Sequence, residues 1–594
     1  MPVNELDFVV GGFAGQGINT VGLAFARICS RAGLHVFVNL EYPSNIKGEH
    51  NYAQVAVSEK AIGSHRRRAD LLLAVDVKTV VSHLDDIAPG GALVYDSRAL
   101  ETSPVDVGLK LPAIDRSDIA VVDLPLLEMA REAGGDKRMV NVAGLGAVMS
   151  LLRYDFEGFA AMVREMLGKL GEDKVNRNLE AARKAYNAVT EMHVDSFDKR
   201  LERRDAPRRM LLTGNDAIAL GAIKAGVRFY SGYPMTPASA VQRYITAKAG
   251  EYGIVTIQPE DEIAAVGMAL GASHTGARAM TGTSGGGFCL MSEHLGLAGI
   301  AEVPLVILDG QRPAPATGLP TRTEQGDLQF VLNAAPGDFA RVVVAPGDAE
   351  EAFFLTHEAF NLADRYQTPV VILSDKHLGE CYWTHQPFDT SGLTIDRGEI
   401  VSETDLTGND YHRYRLTDSG VSPRALPGTP GGVHRASGNE HDESGLISED
   451  ADNRTRQMAK RLRKTTALDV SQCGFKLHGS PEADLTLVGW GSTKPVVLDA
   501  MRVLESAHGI KSRFLQVVYM APFPAAGVER VLREGNETIL IENNATGQLG
   551  HLIRQHTGVA LPRRVLKYSG RQFLRDELVD EILACLESRK EVAP

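Results

Sequence analysis

The chain is 594 residues long, 44% hydrophobic and 23% charged, a composition expected of three or four globular domains with ample cores. A formal net charge of −12 argues against a nucleic-acid partner. No apolar run approaches the ~18 residues of a membrane span, and MPVNELDF does not read as a signal peptide, so a cytoplasmic protein with no membrane partner is expected. Five scattered cysteines (Cys29, Cys289, Cys381, Cys473, Cys585) without a CxxC pair speak against a disulfide framework and against an iron–sulfur cluster on this chain.

Residues 1–190 read as a first α/β unit. LDFVVGGFAGQGINTVGLAFARIC is strand, glycine loop and helix, and VFVNLEY is a second strand ending in Glu41. Gly12, Gly15 and Gly17 suit a phosphate cradle, with Asn19 or Thr20 capping the helix. Glu41 imitates the acid of a dinucleotide fingerprint, but the glycine order is GxxGxG rather than GxGxxG. The loop YPSNIKGEHNYAQ brings Ser44 and Asn45 close in sequence to Lys47 and Gly48. Further βα units and a helical tail follow. Residues 191–209 are charged and lack an apolar period, which predicts a linker.

Residues 210–385 form a second α/β domain with three glycine- or proline-rich loops at the ends of predicted parallel strands, the edge where open α/β sheets bind ligands. FYSGYPMTP is a short strand and a loop stiffened by Pro234 and Pro237, which can hold the Thr236 hydroxyl in place. VTIQPEDEIAAVGMALGA is a strand, then Glu260, Asp261 and Glu262 opening a helix. For any single one of these acids, a partner of the helix dipole is the simplest reading. ARAMTGTSGGGF is a strand ending in Thr283, Ser284 and Gly285–Gly287, whose N–H groups are free to face a ligand. VPLVILDG is a buried strand leading to a loop that carries Arg312, a forked donor suited to a carboxylate. Residues 386–480 are rich in Gly, Pro, Ser and charge and are expected to be an ordered excursion or a subunit contact. Within them His434, His441, Asp442 and Glu443 lack metal-site spacing, and RTRQMAKRLRKT is expected to be a solvated or interfacial basic helix. Residues 481–594 read as a last α/β domain.

YPMTP, PEDEIAA, TGTSGGG, GQRPAPATGLPT and EQGDL together resemble the α chain of the 2-oxoacid:ferredoxin oxidoreductases, with a γ-type domain fused in front. The resemblance covers nearly the whole chain. It implies an α/β fold of three to four domains: a Rossmann-like γ domain (1–190), a thiamine diphosphate pyrimidine-type domain (210–385) and a transketolase C-terminal-like domain (481–594). It implies Glu262 against the pyrimidine N1′, Thr236 on a substrate oxygen and Arg312 on the 2-oxoacid carboxylate. Tyr233, Pro234, Thr283, Ser284 and Gly285 would line the cofactor, and Gly15, Gln16, Gly17, Ser44 and Lys47 would contact coenzyme A.

The sequence has no GDG followed by a distant asparagine and no cluster cysteines. The resemblance therefore implies a separate β subunit holding the diphosphate, Mg2+ and a [4Fe-4S] cluster, in an (αβ)2 assembly that reduces ferredoxin. Fusion of the γ and α regions is most similar to the 2-oxoglutarate enzymes. Pyruvate or branched-chain oxidoreductases, an NAD-dependent Rossmann dehydrogenase on Gly12–Gly17 and Glu41, and a non-catalytic assembly subunit are the alternatives.

Overall fold

A computed structural model describes residues 3–44, 50–101, 108–194, 196–406, 410–534 and 537–587. The chain divides into two compact units. The first holds residues 1–212 with the short returns 381–388 and 574–577, and the second holds the remainder.

The first unit is built on a sheet in the order Ala120–Asp123, Ile87–Tyr95, Ala69–Ala74, Leu6–Phe13, His50–Ser58, His35–Glu41, Tyr382–His385, Met210–Thr213. Leu6–Phe13, Ala69–Ala74, Ile87–Tyr95 and Ala120–Asp123 run parallel. Leu6–Phe13 and Ala69–Ala74 are buried on both faces, as their continuous hydrophobic runs require. His50–Ser58 lies antiparallel between Leu6–Phe13 and His35–Glu41. This placement undoes the dinucleotide reading. Glu41 is on a strand one removed from the glycine-loop strand, and it is buried and accepts a hydrogen bond from Asn39 Nδ2 at 3.1 Å. The strand His50–Ser58 also replaces part of what reads locally as a loop.

Residues 191–209 are not a free linker. Phe197 and Leu201 are buried in the first unit's core, and Leu201 N donates to Leu152 O at 3.0 Å while Arg204 N donates to Ala32 O at 2.7 Å. Two apolar residues among many charges sufficed to dock the segment. The strand Tyr382–His385 likewise returns to the first sheet, antiparallel to His35–Glu41, so the second domain ends before residue 385.

The second unit contains two sheets. The first runs Tyr519–Ala521, Val342–Val344, Pro369–Asp375, Leu305–Gln311, Ala279–Thr283, Phe229–Ser231, Val255–Ile257, parallel except for the Tyr519–Ala521 edge. The second runs Phe475–Gly479, Ser512–Val517, Leu485–Trp490, Glu537–Glu542, Arg564–Leu566.

The helix Ala451–Arg463 departs from expectation. Its Lys460, and Lys464 just beyond it, are buried and reach Glu302 at 2.7 and 2.6 Å, and Arg461 is buried against Glu440 at 2.7 Å. One face of this basic helix, without an apolar stripe, is thus buried, because acids from elsewhere in the chain pair its charges. In the same excursion, Asp442 Oδ1 accepts from the Ser444 and Leu446 amides, Glu443 accepts from Leu416 N, and His434 and His441 face backbone carbonyls. These side chains fold the loop.

Candidate active site

The three loops anticipated from sequence meet at the carboxyl edge of the parallel sheet in the second unit. Asp261 is the N-cap of the helix Glu262–His274, accepting from Ala264 N at 2.8 Å. That leaves Glu262, in the first helical turn, to point inward. It is 3% exposed, and its Oε1 has no hydrogen-bond partner. An unpaired buried carboxylate oxygen is costly, so its retention points to a ligand that completes it.

Facing it is the glycine turn. A Cβ on Gly287 would lie 2.6 Å from Glu262 Oε1 and collide with the Thr283 hydroxyl, while one on Gly285 would lie 2.5 Å from Asp327 Oδ2. Only glycine admits acidic side chains this close to the backbone. Ser284 caps the short helix Gly285–Leu290 by backbone geometry alone, and its hydroxyl is buried without a partner. Thr283 is buried, its hydroxyl 3.8 Å from Met235 Sδ.

Arg312 extends from the end of the strand Leu305–Gln311 and donates from Nη1 to the Thr236 carbonyl at 3.1 Å. This ties the YPMTP loop to the GQRP loop. Burial pushes its pKa down, opposed by the negative charges of Asp327 and Glu262. Thr236 is half-buried and precedes a cis peptide to Pro237. Tyr233 and Pro234 are exposed at the mouth of the loop.

Three acids, Asp327 near Arg312 with Asp309 and Glu324 near Asp327, escaped the sequence reading. Asp309 pairs with Thr283 in the parallel register, is fully buried, and has neither carboxylate oxygen bonded. Asp327 is buried with an unpartnered Oδ2. Burial raises Asp327 to about 6 against the pull of Arg312, and burial together with Asp327 raises Asp309 well above the carboxylate range. Burial thus favours the protonated form of each carboxyl. Burial, then Asp327, lifts Glu324 to about 7. The available signal was the acid near the end of an otherwise apolar strand, in VPLVILDG.

In the first unit, Gly15 (φ 93°) and Gly17 (φ 76°) take the left-handed conformation, and Gly17 itself caps the helix Ile18–Arg31. No side chain caps it, so neither Asn19 nor Thr20 has the role assigned to it. Gln16 braces the turn, its Oε1 accepting from Phe13 N at 2.6 Å and its carbonyl accepting from Asn141 Nδ2 at 2.6 Å. Gly15 and Gln16 open onto a cleft of about 720 Å³ rimmed by Arg131, Lys137 and Arg138. Gly17 lies behind this cleft against Asn141, and Ser44 is exposed elsewhere. Lys47 lies outside the described residues.

An unsatisfied buried acid facing a glycine turn at the carboxyl edge of a parallel sheet is the arrangement of a ligand-binding α/β module. Residues 220–460 match the thiamine diphosphate-binding family of pyruvate flavodoxin/ferredoxin oxidoreductases, and residues 7–188 match the pyruvate ferredoxin/flavodoxin oxidoreductase family. The chain is 34% identical to the α subunit of 2-oxoacid:ferredoxin oxidoreductase 1 of Sulfurisphaera tokodaii, over 98% of each chain. It is 28% identical to the 2-oxoglutarate oxidoreductase subunit KorA of Mycobacterium tuberculosis, over 97% of this chain and 91% of that one. It superposes with a TM-score of 0.90 and 32% identity on 2-oxoglutarate:ferredoxin oxidoreductase from Magnetococcus marinus, solved with 2-oxoglutarate, coenzyme A and succinyl-CoA bound, over 98% of this chain and all of that one. The chain belongs to the family of 2-oxoacid:ferredoxin oxidoreductase α subunits.

Among the described residues no helix is long and apolar enough to cross a membrane.

Proposed function

We propose that this chain is the α subunit of a 2-oxoglutarate:ferredoxin oxidoreductase, converting 2-oxoglutarate, CoA and oxidised ferredoxin into succinyl-CoA, CO2 and reduced ferredoxin. The observation that carries the reading is the buried, unpartnered Glu262 Oε1 facing the Gly285–Gly287 turn, with Arg312 beside it. When bound, thiamine diphosphate supplies the nucleophile and the electron sink for loss of CO2.

The chain's residues prepare that chemistry. Glu262, its Oε1 buried and unpartnered, would hold a proton for the pyrimidine ring in a place shielded from water. Thr283, Ser284 and Gly285 form the floor of the ring's pocket, and Tyr233 and Pro234 its rim. Arg312 pairs with the substrate's carboxylate, and the Thr236 hydroxyl donates to a keto or carboxylate oxygen. Holding the acid at a fixed place beside the ketone removes the orientational cost of reaction.

The cleft over Gly15 and Gln16 takes coenzyme A, its Arg131, Lys137 and Arg138 rim suiting phosphates. Gly17 shapes the turn. A β subunit holds the diphosphate, Mg2+ and a [4Fe-4S] cluster and passes electrons to ferredoxin, in a cytoplasmic (αβ)2 assembly. The bound ligands of the Magnetococcus marinus enzyme and the naming of the M. tuberculosis subunit support 2-oxoglutarate as substrate.

The test is co-purification with the β subunit and a panel of 2-oxoglutarate, pyruvate and branched-chain 2-oxoacids with CoA and a low-potential dye. The highest kcat/KM is expected for 2-oxoglutarate. Preference for pyruvate overturns the substrate assignment, and full turnover by Glu262→Gln overturns the site.

A further inference from the structure

We infer that the C-terminal α/β domain sets the position of the Arg312 guanidinium through a buried amide latch on Gln325, making Gln325 a positioning residue for oxoacid binding. This rests on the reading of Arg312 as the carboxylate partner and extends it to a domain that otherwise looks like a packing module.

The latch is built from bonds that use both ends of the Gln325 side chain and both its backbone groups. Gln325 is fully buried. Its N–H donates to Asn543 O at 2.7 Å, and its Oε1 accepts from Asn543 N at 2.9 Å. Its Nε2 donates to Trp490 O at 2.9 Å, and its carbonyl accepts from Asn544 Nδ2 at 3.1 Å. Gln548 extends the grip, donating from Nε2 to Gly326 O at 2.7 Å and accepting from Gln329 N at 2.9 Å.

The place of these bonds matters as much as their number. Trp490 ends the strand Leu485–Trp490, and Asn543 and Asn544 directly follow Glu537–Glu542, so the loop occupies the carboxyl edge of the C-terminal sheet. That edge is where open α/β sheets bind ligands. The amides of the helix Gln548–Thr557 are likewise taken: Glu542 accepts from Leu549 N at 3.0 Å and from Gly550 N at 3.3 Å. The domain thus spends its ligand edge on a segment of its own chain.

Two residues past the latch, Asp327 connects it to the site. Its N–H donates to Gln311 Oε1 at 3.0 Å, its carboxylate lies against Gly285, and its charge acts on the adjacent Arg312. The bonded path from the C-terminal sheet therefore runs through Asn543, Gln325 and the Asp327 amide to Gln311, the residue directly before Arg312.

The experiment uses the complex with its β subunit and compares Gln325→Leu, the milder Gln548→Ala, Arg312→Lys and each pair with Arg312→Lys. KM and kcat are measured for the preferred 2-oxoacid, with thermal midpoint and the calorimetric Kd of 2-hydroxyglutarate, which keeps the carboxylates without the ketone. Gln325→Leu is expected to raise KM and that Kd about tenfold, as expected for loss of one or two buried hydrogen bonds, with kcat changed less. Gln548→Ala is expected to do the same more weakly, and both effects should shrink once Arg312 is lysine. A lower melting point or kcat with unchanged KM and Kd, or an equal KM effect in the Arg312→Lys background, overturns the latch. If Arg312→Lys itself leaves KM and Kd unchanged, the reading of Arg312 fails, and the latch with it.

Discussion

Glu262 and Gly287 are held so close that a methyl group on the glycine would fall 2.6 Å from Glu262 Oε1. That distance turns a glycine in a loop into part of an acid's environment: the carboxylate keeps its inward position only while position 287 has no side chain.

Gly287→Ala should therefore push Glu262 out of place. Overpacking of a buried site costs about 1–3 kcal/mol, and turnover should fall at least about tenfold as the acid moves. Steady-state rates of the co-purified complex with 2-oxoglutarate, beside a thermal melt, check this. Wild-type turnover would show that the carboxylate has room to shift without loss.

Glu262→Gln should lower kcat by about 10²–10⁴-fold, the range of general acid–base catalysis, while subunit assembly persists. Because the acid's Oε1 is unpartnered in the buried site, the amide should leave the melting temperature unchanged or slightly higher. Gel filtration, melting and dye-linked assays separate the two effects.

Arg312→Ala should raise KM for the 2-oxoacid by roughly 10–100-fold, the loss of charge-assisted hydrogen bonds worth ~1.5–3 kcal/mol. An unchanged KM would place the carboxylate pocket elsewhere. The variant also loses the 3.1 Å bond to the Thr236 carbonyl, so kcat should fall as the loop loosens.

The acids near Arg312 make one stability difference pH-dependent. Asp327 rises from 3.8 to about 6 on folding, so between those values the folded chain binds more protons than the unfolded one, and stability from this group falls as pH rises. Partly buried histidines such as His50, depressed to about 4 by burial and by His83 and Lys78, act in the opposite direction. Comparison with Asp327→Asn isolates the carboxyl. The variant's stability gain over wild type should grow from pH 4.5 to about 6.5 and then level off, by on the order of 1–3 kcal/mol. Denaturant melts across that range measure it; a gain that is constant with pH would contradict the raised carboxyl.

Lys460→Met should destabilise the second unit by about 3–5 kcal/mol, since it removes one of the two lysines paired with the buried Glu302. Lys464 then remains the lysine paired with that carboxylate. A melting temperature equal to wild type would mean that water or a rearranged side chain replaces the lost ammonium.

How much of this was readable from the chain depends on whether the information is local. The YPMTP, PEDEIAA and TGTSGGG loops are each written in a dozen residues of strand, turn residue and helix start, so their place at the sheet's ligand edge was legible, and the resemblance points to Glu262, Thr236 and Arg312 there. The parallel sheet that gathers them follows from short apolar strands alternating with helices. The assignments that failed were those decided by partners distant in sequence. Residues 191–209 look solvated until Phe197 and Leu201 find a core, and Lys460 looks exposed until Glu302 meets it. Glu41 fits a dinucleotide spacing until an antiparallel strand separates it from the glycine loop. Asp309, Asp327 and the Gln325 latch depend on strand register and on contacts more than 150 residues apart in sequence. Short-range sterics and turn chemistry are properties of the sequence itself. Charge burial and charge pairing depend on what folding brings alongside, and only the tertiary structure decides that.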